Sequence, residues 1–122
     1  MLDITRAFNG FSVNDVDAVR TFYGETLRIP LSESNGMLHL HFGPGRDTLV
    51  YPKGDKHVPA EYTVLNFPVD DIESAVEELK GAGVTFEQYD GVDDQGIFRR
   101  GGPPIAWFKD PAGNVLSVLQ PN

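Results

Sequence analysis

Two of the three histidines in this 122-residue sequence stand one residue apart, His39 and His41 in Met37-Leu38-His39-Leu40-His41-Phe42. An imidazole can serve as a general base or a metal ligand, and on an extended chain this spacing puts both rings on one face. A bound ion needs further donors, and none stands near them in sequence. The plainer reading makes them polar residues on a wet strand face. His57 lies beside a linker containing Gly and Pro and reads as exposed. Ser12, Ser32, Ser34 and Ser117 show no His–Asp arrangement along the chain, although one assembled in space stays open. Cysteine is absent, which excludes thiol catalysis, cysteine-ligated zinc and a disulfide framework. Gly43-Pro44-Gly45 matches no phosphate-binding loop. Trp107 offers a flat stacking surface with one N–H donor, or simply a core aromatic. Arg99 and Arg100 lie in the stretch 91–104, which is too rich in Gly and Pro to read as regular structure. It is either a lid, from which Arg99 would reach an anionic group, or a surface connection with solvated charges.

The elements that must position these residues fall into a near-repeat. Val13-Asn14-Asp15-Val16-Asp17 and Val69-Asp70-Asp71-Ile72-Glu73 each follow an apolar stretch and supply carboxylates to accept the free N–H groups of a helix start. Helical spacing follows in each copy: Val16, Val19 and Tyr23, then Ile72, Ala75, Val76 and Leu79. Gly81-Ala82-Gly83 ends the second helix. Strands are expected at 29–33, 37–42 and 48–51 in the first copy and at 84–89, 105–108 and 115–119 in the second. Gly43-Pro44-Gly45 and Asp110-Pro111-Ala112-Gly113-Asn114 supply the hairpin turns. The pattern is strand–helix–strand–strand–strand, twice, in modules of about 6–52 and 62–121 joined by a connector at 53–61. One copy cannot cover its own sheet, so a single α+β domain is expected. Alternation puts Leu38, Leu40 and Phe42 under a helix, and His39 and His41 on the opposite face.

Charge and composition narrow the partners. Ten Lys and Arg against eighteen Asp and Glu leave a net charge of −8, which repels a phosphate backbone and argues against nucleic acid. The same charge attracts a cationic ligand or simply maintains solubility. No apolar run approaches a membrane span, and the first residues lack the pattern of a signal peptide, so a soluble cytoplasmic protein is expected.

The segment VNDVDAVRTFYGETL resembles the strand-to-helix passage of the vicinal oxygen chelate superfamily, which spans glyoxalases, bleomycin-resistance proteins and extradiol dioxygenases. KDPAGNVLSVLQP is similar to that family's C-terminal hairpin. The likeness runs from about Ala7 to Pro121. It implies paired βαβββ modules whose curved mixed sheets enclose a cavity, and commonly a homodimer. Metal-dependent members carry His, Gln or Glu on the first strand of each module and Glu on the last. Carried across by motif spacing, those positions are Phe8, Val64, Ser117 and, in DTLVYP, Val50. None offers a carboxylate or imidazole. The resemblance also makes Trp107 a pocket-lining residue. The expected pocket face is therefore Phe8, His39, His41, Val50, Val64, Trp107 and Ser117, with Leu38, Leu40, Phe42 and Leu116 behind.

These features favour a small-molecule binder with no metal and no other cofactor, comparable to the bleomycin-resistance relatives. Metal-dependent glyoxalase activity is not expected. The alternatives are a lyase, isomerase or dioxygenase-type enzyme with a displaced or metal-free site, and a structural dimer without a ligand.

Overall fold

Residues 1–122 are described by a computed structural model. The architecture is α+β, with two four-stranded mixed sheets of identical connectivity. The chain divides into two compact units, Met1–Pro59 and Ala60–Asn122.

In the first unit β1 (Asn9–Val13) leads into α1 (Val16–Thr21), followed by β2 (Leu31–Ser34), β3 (Met37–His41) and β4 (Asp47–Pro52). Asp15 caps α1 by accepting from the Asp17 N–H, satisfying a donor that the first helical turn leaves free. After Thr21 the chain widens into one turn of π-helix, Phe22–Thr26. The Ile29 N–H then donates to the Tyr23 carbonyl, so Ile29 closes the helix instead of opening a strand. The next strand accordingly starts at Leu31, two residues later than expected. Strand order is β1-β4-β3-β2, with β1 parallel to β4 and the other pairs antiparallel.

Two turns set the register. Asn35 and Gly36 both have positive φ (52° and 74°), the conformation of a two-residue hairpin whose twist matches its strands. Ser34 therefore pairs with Met37, Ser32 with His39, and Leu31 with Leu40. Across the next hairpin Leu38 pairs with Val50, His39 with Leu49, and His41 with Asp47. One face of the sheet carries Phe11, Val13, Leu38, Leu40 and Val50, all buried, and α1 packs on β3 and β4. His39, His41 and Leu49 occupy the other face. A Cβ built on Gly10 would meet Leu49 and Tyr51, which places Gly10 on that face as well.

The second unit repeats the plan: β5 (Thr63–Pro68), α2 (Ile72–Gly81), β6 (Ile97–Phe98), β7 (Ile105–Lys109) and β8 (Val115–Leu119), in the order β5-β8-β7-β6. Asp71 caps α2 by accepting from the Glu73 and Ser74 N–H groups. The β7–β8 turn is built around Asp110, buried at 4% exposure, whose Oδ1 accepts from the Ala112 and Asn114 N–H groups, each at 2.9 Å. Asn114 returns a side-chain bond to Asp110 Oδ2 (3.2 Å) and accepts from the Ala60 N–H (3.0 Å).

The strand expected at 84–89 does not form. Phe86 makes a single bridge to Phe108, while β6, inside the stretch read as irregular, pairs Ile97 with Ala106 and Phe98 with Ile105. The outer edge of β7 is thus shared by two short segments. Gly96 (φ 88°) brings them together, because a Cβ there would stand 3.0 Å from the Phe86 Cβ.

Candidate functional site

On the open face of the first sheet lies a cavity of about 450 Å3. The short 3-10 turn Ile4–Arg6 and the residues after it form one wall, and β3 and β4 form the floor. Phe8, Met37 and Leu49 give the lining its apolar part, while Arg6, Ser34, His39 and Asp47 supply polar groups. This is the usual composition of a small-molecule site, where apolar walls exclude water and a few polar atoms fix orientation. Phe8 and His39, both expected here from sequence, are brought together.

Val50 is not among them. Its pairing with Leu38 turns it toward α1, where it is fully buried, and Leu49 takes the open face instead. The expected placement is corrected by one residue, the shift that moves a side chain to the opposite side of a strand.

The open-face histidines are held by serines of the neighbouring strand. Ser34 Oγ lies 3.0 Å from His39 Nε2, and Ser32 Oγ lies 2.8 Å from His41 Nε2. His41 Nδ1 is 2.9 Å from Asp47 Oδ1. A Ser–His–Asp arrangement that the linear sequence does not display is thus assembled across three strands. The signal was there in the hairpins: Asn35-Gly36 pairs Ser32 with His39, leaving His41 diagonal to Ser32, and the following turn pairs His41 with Asp47. His57 also differs from expectation, being half-buried with its Nδ1 2.8 Å from Ser12 Oγ.

In the second unit Trp107 is half-buried, with its ring centroid 5.6 Å from Tyr89 and 6.0 Å from Phe98. Ser117 pairs with Trp107 across the β7–β8 ladder, is fully buried, and donates to Asn66 Oδ1 at 2.6 Å. Val64 sits at a register irregularity between Thr63 and Leu65 and has no cross-strand partner.

Arg99 is engaged within the unit. Its Nε donates to Asp93 Oδ2 (3.1 Å) and its terminal nitrogen to Glu73 Oε1 of α2 (2.9 Å). Asp93 Oδ1 also accepts from the Gln95 and Ile97 N–H groups, each at 2.9 Å. Partial desolvation pushes the Asp93 carboxyl up, but the bonds from Ile97, Arg99 and Gln95 outweigh it and hold the group below its ordinary range. The Asp93 bond raises Arg99 in turn. The segment read as a lid or free connection is pinned to α2 by these contacts.

The metal implied by the family resemblance does not fit these residues. Val50 is aliphatic and faces the helix, the Ser117 hydroxyl is committed to Asn66, and Phe8 and Val64 have no donor atoms. No group of three or more His, Cys, Asp or Glu side chains is arranged to hold an ion.

Among curated proteins none matches the sequence. Solved structures share the fold. The antibiotic binding protein TnmS3 from Streptomyces sp. CB03234 superposes with a TM-score of 0.69 at 22% identity, covering 95% of this chain and 96% of its own. Virulence protein STM3117 from Salmonella typhimurium gives 0.70 at 20% identity, covering 100% and 99%. A glyoxalase family protein from Enterococcus faecalis gives 0.66 at 22% identity, covering 93% and 94%. The pattern of one family also matches residues 6–118, nearly the whole chain. With its repeated βαβββ connectivity, the chain belongs to the Glyoxalase/Bleomycin resistance protein/Dioxygenase superfamily.

Proposed function

We propose that this protein binds a small organic molecule without a metal, acting as a homodimer in the cytoplasm. The observation that carries the reading is the 450 Å3 cavity on the open face of the first sheet. Its floor and wall offer Phe8, Met37 and Leu49 to an apolar portion of the ligand. Arg6, His39, Ser34 and Asp47 hydrogen-bond a polar end of either sign. The fold shared with an antibiotic binding protein agrees with this reading. Trp107, flanked by Tyr89 and Phe98, is a second proposed contact surface, suited to a planar group. Arg99 is not required, because both of its carboxylate partners lie within its own unit.

The test is a thermal-shift screen of planar aromatic and glycosylated antibiotics, since a molecule that binds only the folded state raises its melting temperature. At least one should give a saturable rise with one molecule bound per chain by calorimetry. Leu49→Arg, which puts a long charged chain into the cavity from a half-exposed position, should abolish the shift while leaving the unliganded protein folded. A hit whose affinity is unchanged in that variant would move the site elsewhere, and no hit across the panel would reject the reading. Light scattering decides between dimer and monomer.

A further inference from the structure

The geometry points to Ser32, His41 and Asp47 forming a serine-nucleophile site that is acylated by small activated esters. This goes beyond ligand binding and does not depend on what occupies the cavity. Three roles must be filled for such chemistry: a hydroxyl, a base within hydrogen-bond reach of it, and a group that orients the base. Ser32 Oγ is 2.8 Å from His41 Nε2, and Asp47 Oδ1 is 2.9 Å from His41 Nδ1. A carboxylate on Nδ1 keeps the proton there, so that Nε2 presents its lone pair to the serine. Of the two strand histidines only His41 has this support. His39 is hydrogen-bonded to Ser34 through Nε2 and has no carboxylate on Nδ1 to orient it, which makes it an internal comparison.

The three residues are fixed by backbone pairing more than by their own contacts. Ser32 and His41 are diagonal neighbours across the β2–β3 ladder, and His41 and Asp47 are direct partners across β3–β4. Arg20 of α1 anchors β2 through Glu33, with Nε 2.9 Å from Oε2. Access is open: Ser32 is exposed, and the side chains of His41 and Asp47 are 38% and 46% accessible. Asp47 also lines the cavity, so an acyl chain lying there reaches the site.

In the reaction Ser32 Oγ attacks the ester carbonyl carbon while His41 Nε2 takes the hydroxyl proton. The tetrahedral intermediate collapses by breaking the carbon–oxygen bond to the leaving group, and His41 returns the proton to the departing oxygen. Water then cleaves the acyl-serine by the same route, regenerating the hydroxyl and releasing the acid. Ser32 and His41 are the catalytic residues, and Asp47 is a positioning residue.

Stabilisation of the oxyanion is sparse. β2 is an edge strand, and the bond from the His41 N–H to the Pro30 carbonyl sets a ladder in which the even-numbered residues of β2 face β3. The Leu31 and Glu33 N–H groups, on either side of the nucleophile in sequence, therefore both point to the outer side. Each well-aimed donor is worth roughly 10²–10³ in rate, and a straight edge strand offers these two without a turn that would converge them on one oxygen, so the site should acylate readily only with good leaving groups and turn over slowly.

The experiment exposes the full-length protein to an alkyl fluorophosphonate and, separately, to p-nitrophenyl acetate, with intact-mass and peptide mapping. One adduct per chain on Ser32 is expected, with a burst of p-nitrophenol followed by slow turnover. Ser32→Ala should remove the adduct, and His41→Gln should slow its formation about a hundredfold, the usual contribution of a general base. Ser12→Ala, at the separate Ser12–His57 pair, should leave it unchanged. Asp47→Asn should slow acylation and move the His41 ring proton from Nδ1 to Nε2 by 15N NMR, which a structural role alone would not do. Circular dichroism checks that each variant is folded. No adduct on Ser32, labelling spread over surface serines, or a rate unaffected by His41→Gln would overturn the proposal.

Discussion

Neighbours on one strand meet different fates here because the pleat sends them to opposite faces. Leu49 and Val50 differ little in chemistry, yet one lines the cavity and the other is sealed under α1. Motif spacing alone places Val50 on the cavity side, since a short match such as DTLVYP carries no information about face. The pairing with Leu38 decides it. Val50→Ala removes two methyl groups from a fully buried site and should cost about 2 kcal/mol in a urea titration. Leu49→Ala removes more atoms from a half-exposed site and should cost about 1 kcal/mol or less. Equal losses, or the reverse order, would show that the β3–β4 register differs from the one described.

Elements were legible in the sequence where a local chemical signal announces them, and obscure where pairing alone creates them. Asp15 and Asp71 cap their helices as their positions suggested, and Asp110 with Asn114 closes its turn through bonds that few other residue pairs can make. A two-residue strand such as Ile97–Phe98 has no period to detect, and the strand-like run at 84–89 shares the β7 edge with it, meeting that edge only around Phe86 and Glu87. The open-face serines and histidines were visible as residues, but their partnership depended on reading both hairpins in register. The segment between Gly91 and Pro104 shows how far composition misleads, because Asp93 organises it. Since the folded Asp93 carboxyl lies below its ordinary value of 3.8, its contribution is present above that pH and is lost as pH falls through the lower folded value. Asp93→Asn should therefore destabilise the protein at neutral pH, and the gap to wild type should shrink below pH 3.8, as followed by thermal melts at stepped pH. A gap constant across that range would mean that the Ile97, Arg99 and Gln95 bonds do not favour the ionised form.

Repetition governs the whole molecule. The order β1-β4-β3-β2 recurs as β5-β8-β7-β6, and in both copies the helix follows a capping aspartate that ends the first strand's excursion. Each unit has only about 60 residues, Met1–Pro59 and Ala60–Asn122, a size at which a chain buries only about 60% of its unfolded surface and is marginal alone. Without disulfides, neither unit has a covalent constraint to make up the difference. The single-domain expectation then has a calorimetric consequence: the protein should unfold in one transition with an enthalpy of about 85 kcal/mol near 60 °C, as for a cooperative domain of this length. The van't Hoff enthalpy should equal the calorimetric one when the data are fitted for the oligomeric state found in solution. Two resolved transitions, or a van't Hoff value near half the calorimetric, would show that the units fold independently. A ligand at the first sheet would then protect only one of those transitions, whereas in a cooperative domain it raises the melting temperature of the whole.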